Sequence, residues 1–211
     1  MAREAVKVSL VLASASPRRM ALLDQAGLAP SLIIPTDIDE SLARNEAPRR
    51  HALRLAREKA ETAAQLPRVT GLGGEIYILA ADTVVALGRR VLPKAEDRDT
   101  ARGCLELLSG RSHMVYTGVC VIGPSGRAQT RVVESKVRFK RLTRAETDAY
   151  LDTGEWQGKA GAYAIQGRAE VFVRYISGSY SNVVGLPLHE TARLLEGAGF
   201  PVHQAWRAGH G

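Results

Sequence analysis

Leu10-Val-Leu-Ala-Ser-Ala-Ser-Pro-Arg-Arg19 carries the strongest local signature in this chain. An apolar run from Val8 to Ala13 stops at two serines, a proline and two adjacent arginines. An amphipathic segment follows, with Met20, Leu22, Leu23 and Leu28 as its apolar positions and Gly27 as its stop. The pattern predicts a buried strand, a tight turn and a helix. Ser16 suits the N-cap, and Pro17 suits the first helical position, where its missing N–H costs nothing. Such a turn presents the hydroxyls of Ser14 and Ser16, free backbone N–H groups, the positive end of a helix dipole and the guanidinium groups of Arg18 and Arg19. Together these suit an anion, a polyphosphate above all. A capped helix with a solvated Arg pair is the plainer reading, and the residues alone weigh the two equally.

Working outward, the second strand is Leu32-Ile-Ile-Pro35, leading into Asp37-Ile-Asp39-Glu40. Three carboxylates this close repel one another unless they are solvated or paired with cations. Pro48 to Leu66 reads as a helix whose apolar stripe is Ala52, Leu53, Leu55, Ala56, Ala60 and Ala63, with Pro67 ending it. On composition its Arg54, Arg57 and Lys59 are surface charges. Residues 68–74 read as a flexible loop. Ile76 to Leu87 is a long β-type run holding one carboxylate, Asp82. A carboxylate inside such a run needs a metal, a cation or several hydrogen bonds, because bare burial costs several kcal/mol.

Gly88-Arg-Arg is a turn, Val91 to Lys94 an extended lead, and Asp97 to Leu108 a helix closed by Ser109-Gly110. Met114 to Ile122 and Gln129 to Leu142 read as antiparallel strands around a Pro124-Ser-Gly126 turn. Thr143-Arg-Ala-Glu146 is a capping box opening a helix through Leu151, with Gly154 as its stop. The loop Glu155 to Gly161 precedes Tyr163 and Gln166, and Val171 to Ile176 is the last strand. Pro187 starts the final helix, which runs to about Gly197, and the tail after Val202 is expected to be loose.

The chain has 211 residues, 45% of them apolar and 24% charged, which is ordinary for a globular protein. That length gives one large domain or two intimate lobes, taken here as a single domain over 1–211. No basic-then-apolar leader and no run of membrane-spanning length is visible, so no membrane is expected. Cys104 and Cys120 lie in apolar contexts without metal-ligand spacing and read as small core residues, which fits a reducing cytoplasm. Net charge is +7, and residues 101–150 hold nine Lys and Arg against four Asp and Glu. Lys136, Arg138 and Lys140 alternate with Val137 and Phe139, which in a strand puts the cations on one face. A solvated face is the favoured reading, because no aromatic residue interleaves with these cations as a stacking platform. Nucleic acid is therefore not an expected partner. His51, His113, His189, His203 and His210 are scattered without ligand spacing. Walker A and Gly-x-Gly-x-x-Gly patterns are absent.

Ser14-Ala-Ser16-Pro-Arg18-Arg19 after a short strand resembles the signature of the Maf family of nucleoside triphosphate pyrophosphatases. The resemblance continues in Ala80-Ala-Asp82-Thr83-Val-Val and in Leu108-Ser-Gly-Arg-Ser-His113 with Thr117-Gly118-Val119. It extends through Gly158-Lys-Ala-Gly-Ala-Tyr-Ala-Ile-Gln-Gly167 and Gly178-Ser-Tyr-Ser-Asn-Val-Val-Gly-Leu-Pro-Leu-His-Glu-Thr191. These blocks stand in the family's order and cover nearly the whole chain. The resemblance implies an α/β fold of the Maf/ITPase-like kind: a long twisted mixed sheet flanked by helices, two lobes and a substrate cleft between them. It implies hydrolysis of dTTP, UTP and modified pyrimidine nucleotides between the α and β phosphates, with Mg²⁺ or Mn²⁺ as cofactor. Ser14, Ser16, Arg18 and Arg19 would cradle the triphosphate, with Lys59 and Lys94 adding charge. Glu40 and Asp82 would hold the metal or the water, Asp82 as general base, and Gln166 would stand near that water. Where the family usually shows Lys-Pro, this chain has Lys94-Ala95.

The run from Lys159 to Gly167 resembles the dTTP/UTP subgroup, whereas the 7-methyl-GTP subgroup tends to carry Ser and Glu at the Ala162 and Gln166 positions. The alternatives kept open are that second subgroup, a non-catalytic division regulator and a nucleic-acid-binding protein. The resemblance also leaves room for a homodimer.

Overall fold

The computed structural model describes residues 7–208. In chain order the elements are β1 (Val8–Leu12), α1 (Pro17–Gln25), β2 (Leu32–Ile33), α2 (Pro48–Ala64), α3 (Pro67–Thr70) and β3 (Glu75–Leu87). Then come β4 (Arg90–Leu92), β5 (Lys94–Ala95), α4 (Arg98–Leu108), β6 (Ser112–Ile122), β7 (Ala128–Phe139) and α5 (Arg144–Asp152). The last are β8 (Lys159–Ala160), a 3₁₀ turn (Arg168–Phe172), β9 (Val173–Ser177), α6 (Tyr180–Val184), α7 (Leu188–Ala198) and α8 (Val202–Ala208).

The main sheet has seven strands in the order β2-β1-β3-β6-β7-β9, with β4 paired to the end of β3. β1 runs parallel to both of its neighbours, and the pairs from β3 to β9 are antiparallel. A strand held in parallel on both sides is covered on both faces, so Ser9 to Leu12 are all buried and three of the four are apolar. The sheet is mixed and flanked by helices, as expected. Among the described residues, no helix is long and apolar enough to cross a membrane.

Alternation along β3 sends successive side chains to two different cores. Tyr77, Leu79 and Ala81 join the larger core, whereas Ile78 and Ala80 pack with Ala56, Ala60 and Ala63 of α2. Continued by one step, the same alternation turns Asp82 toward α2 and Thr83 toward α1. The alanine stripe lets α2 lie close to the sheet, and Gly118 lets it lie closer still. Gly118 is the register partner of Asp82, and a Cβ there would collide with the Ala52 backbone. That close approach brings a lysine of α2 within reach of Asp82.

Several local expectations are corrected. Residues 68–74 are not all loop, because Pro67 opens the short helix α3. Val202–Ala208 is a helix, α8, and Trp206 donates to the Ala26 carbonyl at 2.6 Å, while residues 209–211 lie outside the described residues. β7 ends at Phe139, and the last strand starts at Val173 after the 3₁₀ turn. Cys104 and Cys120 are free and buried, and the Thr143/Glu146 capping box is formed. His210 lies outside the described residues.

Candidate active site

The turn between β1 and α1 forms one wall of a cleft of about 680 Å³, well within the size range of small-ligand sites. Ser16 stands at the N-cap of α1, yet its hydroxyl makes no capping bond, and Pro17 occupies the first turn. The Ser16 hydroxyl and the Arg18 N–H are therefore left to a ligand, since Pro17 has no N–H and the Arg19 and Met20 N–H groups donate to the Ser16 carbonyl. The Ser14 hydroxyl accepts from the Ser16 N–H at 3.3 Å and from an Arg19 guanidinium nitrogen at 2.9 Å.

The two arginines differ in role. Arg19 also donates to the Thr83 hydroxyl at 3.2 Å and to the Gly185 carbonyl at 2.9 Å, tying α1 to β3 and to the end of α6. Burial lowers its pKa, while the charges of Asp82 and Glu40 act the other way. Arg18 bonds no protein group among the described residues and lines the cleft. Burial, with Arg19 beside it, lowers its pKa to about 10, so it remains a cation at neutral pH. The picture of a solvated Arg pair is thus corrected for both residues. One is a tie between elements, and the other is a half-buried cation facing the cavity.

Lys59 is not a surface charge. It is buried on α2, with its ammonium 2.6 Å from Asp82 and 2.6 Å from Glu40. The second oxygen of Glu40 pairs with Lys94. Burial alone would raise the Glu40 pKa, but hydrogen bonds from Lys59 and Lys94 bring it down to about 2. The result is an alternating row, Asp82–Lys59–Glu40–Lys94, along one side of the cleft. The acidic run at 37–40 is thereby divided, because Asp39 turns away and caps Ser41 instead.

Lys94 and Lys159 lie on facing strands of a second, two-stranded sheet, β5 with β8. Neither strand nor their pairing was expected, because two-residue strands carry no alternation to read. The pairing is closed by a bond from the Gly161 N–H to the Pro93 carbonyl at 3.1 Å. Gly161 and Ala162 are both left-handed there, at φ +69° and +60°. Ala162 is fully buried and does not line the cleft, so it acts on the loop backbone and not on a ligand. Burial lowers the Lys159 pKa, with Arg18 repelling it, and its ammonium donates to the Gln157 carbonyl at 2.8 Å.

Gln166 sits exposed on the rim. Tyr163 contributes its ring, and its hydroxyl bonds the buried His113 imidazole at 2.9 Å. Burial lowers the His113 pKa to about 4, so this histidine is neutral and acts as an anchor for Tyr163.

Every residue the sequence nominated lines this one cavity: Ser14, Ser16, Arg18, Arg19, Glu40, Lys59, Asp82, Lys94 and Gln166. The nominations missed Thr83, Lys159 and Tyr163. Thr83 adjoins Asp82 in its motif, and Lys159 and Tyr163 stand in the glycine-rich block, so the signal was present in both. Five cations face three carboxylates here, and the third carboxylate, Glu155, is taken up by Arg168 at 2.7 Å. The wall therefore carries a positive excess suited to a polyanion. Among the described residues, no group of three or more His, Cys, Asp or Glu could hold a metal on its own. Glu40 and Asp82 are two hard oxygen donors, and they fit a divalent cation that shares its shell with phosphate oxygens.

A family model described as Maf-like protein matches residues 9–198. The dTTP/UTP pyrophosphatase of Mesorhizobium japonicum is 59% identical over 198 residues, which is 93% of this chain and 95% of that protein. The dTTP/UTP pyrophosphatase of Chelativorans sp. is 56% identical over 200 residues, 95% of this chain and 96% of that protein. Among solved structures, a HAM1 protein from Coxiella burnetii aligns at 18% identity and TM-score 0.48, covering 90% of this chain and 100% of that one.

Proposed function

The chain belongs to the Maf-like family, and on that premise we propose that it hydrolyses nucleoside triphosphates, dTTP and UTP foremost, to the nucleoside monophosphate and pyrophosphate. The observation that carries this reading is the cleft itself. A helix N-terminus and an excess of cations surround a lysine clamped between two carboxylates. The names of the relatives supply the substrates.

The chemistry follows from the residues present. Arg18, Lys94 and Lys159, with the Ser16 hydroxyl and the backbone N–H of Arg18, bind the triphosphate and offset its charge. Arg19 holds the Ser14 and Thr83 hydroxyls in place at the base of the cradle. The oxygen of a water forms the new bond to the α-phosphorus, the bond from that phosphorus to the α,β-bridging oxygen breaks, and pyrophosphate leaves with the bridging oxygen. Asp82 takes the water's proton. Its Oδ1 accepts from Lys59, and its Oδ2 makes no bond among the described residues. Lys59 fixes the carboxylate's orientation and stands next to the charge that develops on phosphate. Glu40 and Asp82 are the residues that would hold a divalent cation. When bound with substrate, such an ion neutralises phosphate charge and polarises the phosphoryl oxygens. A cytoplasmic setting suits the two free, buried thiols.

Incubating the protein with a panel of nucleotides and Mg²⁺ or Mn²⁺, and measuring pyrophosphate, tests this function. dTTP and UTP should give the highest kcat/KM. Selective turnover of 7-methyl-GTP would assign the chain to the other subgroup, and release of pyrophosphate from none of the panel would refute the proposal.

A further inference from the structure

The one aromatic residue of β7, Phe139, is buried on the opposite face from its cations, but folding supplies aromatic neighbours from the strands on either side. Register places Ser112, Arg138 and Tyr175 on one rung across β6, β7 and β9. Met114, Lys136 and Ser177 form the next, and Tyr116 and Glu134 lie on the one after. Residues directly opposite one another share a face, so these side chains form a single surface. Lys136, Arg138 and Ser177 are exposed on it, and Tyr175 is 56% exposed. Arg49, in the first turn of α2, borders it and acts electrostatically on Tyr116. Among the described residues none of Arg49, Lys136 and Arg138 has an ion-pair partner, and Glu134 is the one carboxylate on the three rungs. None of these residues lines the catalytic cleft.

We propose that this sheet face is a binding site for single-stranded nucleic acid. The cations supply sequence-independent attraction to phosphates, and Tyr175 beside Arg138 supplies a ring on which a base can stack. Tyr175 and Tyr116 are separated by about 10 Å across the strands and about 14 Å along them, a span of a few nucleotides. A duplex hides the faces of its bases and gains nothing from Tyr175. An acidic peptide would engage the cations and leave the ring unused. The face lies outside the cleft, so its occupancy is independent of triphosphate hydrolysis.

The test is fluorescence anisotropy of a labelled mixed-sequence single-stranded 12-mer at low salt, in EDTA. The full chain should bind it more tightly than the matching duplex, with a log–log salt slope of about −2 for three phosphate contacts. Tyr175→Ala should weaken binding roughly fivefold or more, and a Lys136→Glu, Arg138→Glu double variant should abolish it. Both variants should release pyrophosphate from dTTP at the wild-type rate, and excess dTTP should leave the bound oligonucleotide in place. Displacement by dTTP would mean that the strand occupies the cleft, and would overturn the proposal. So would equal affinity for duplex, an unaltered affinity in Tyr175→Ala, or displacement by an acidic peptide at matched charge. A chain that binds no oligonucleotide and instead dimerises through this face would overturn it as well.

Discussion

Replacing Lys59 by methionine keeps most of the side-chain volume of α2 and removes one ammonium. Glu40 then retains Lys94, so the loss falls on Asp82, which is 3% exposed and has Lys59 as its ion-pair partner. Stranding a buried carboxylate costs about 3–5 kcal/mol. In a chain of this size each kcal/mol moves the melting temperature by about 2–4 °C, so Lys59→Met should melt about 6–20 °C below wild type. Asp82→Asn is the milder change. Lys59 keeps Glu40, and the asparagine carbonyl still accepts its hydrogen bond, so the cost is about 1 kcal/mol, or roughly 2–4 °C. The double variant leaves no stranded charge and should melt above Lys59→Met alone. Calorimetric melts of the three variants at neutral pH decide the matter. A Lys59→Met protein as stable as wild type, or a double variant no better than the single, would refute the buried clamp.

Four further outcomes follow from the same geometry. Arg18→Ala should raise KM roughly tenfold or more with an unchanged melt, whereas Arg19→Ala should lose both activity and about 1.5–3 kcal/mol of stability, since its three bonds join three elements; paired kinetics and melts distinguish them. Lys159→Ala should raise KM for dTTP without destabilising the fold, and wild-type KM in that variant would remove Lys159 from the cradle. Hydrogen bonds from Arg54, outweighing partial burial, hold the Glu46 carboxyl near pKa 2, below its ordinary 4.5. Its stabilising effect is thus present above that ordinary value and lost as pH falls toward 2, and Glu46→Gln should narrow the melting-temperature gap to wild type on acidification. Turnover should vanish in EDTA and return with Mg²⁺ or Mn²⁺, and full turnover in EDTA would exclude Glu40 and Asp82 as metal ligands.

What the sequence made legible is uneven, and the unevenness has physical causes. The turn at Ser14 to Arg19 was readable because a strand, a proline and a helix stripe each leave a strong local signature. Asp82 was readable because a lone carboxylate in an apolar run demands a partner. The identity of that partner was not readable from composition. Lys59 looks like any lysine on a polar helix face, and only the tight packing of α2 over Gly118 turns it into a buried cation. Lys159 escaped notice because its strand is two residues long and exists through pairing with Lys94 and Ala95. Arg18 and Arg19 are adjacent and identical in type. Their division into a ligand-facing cation and a tie depends on Thr83 and Gly185, distant in sequence. The cations of β7 read along their own strand as a plain solvated face, whereas the tyrosines beside them arrive from β6 and β9.

Whether this cleft directs water to the α-phosphorus of a nucleoside triphosphate is read from turnover of dTTP in heavy-oxygen water, followed by mass spectrometry and phosphorus NMR of the products. The geometry predicts dTMP and pyrophosphate, with the heavy oxygen in dTMP and none in pyrophosphate. Products of dTDP and inorganic phosphate, or heavy oxygen in the pyrophosphate, would contradict it.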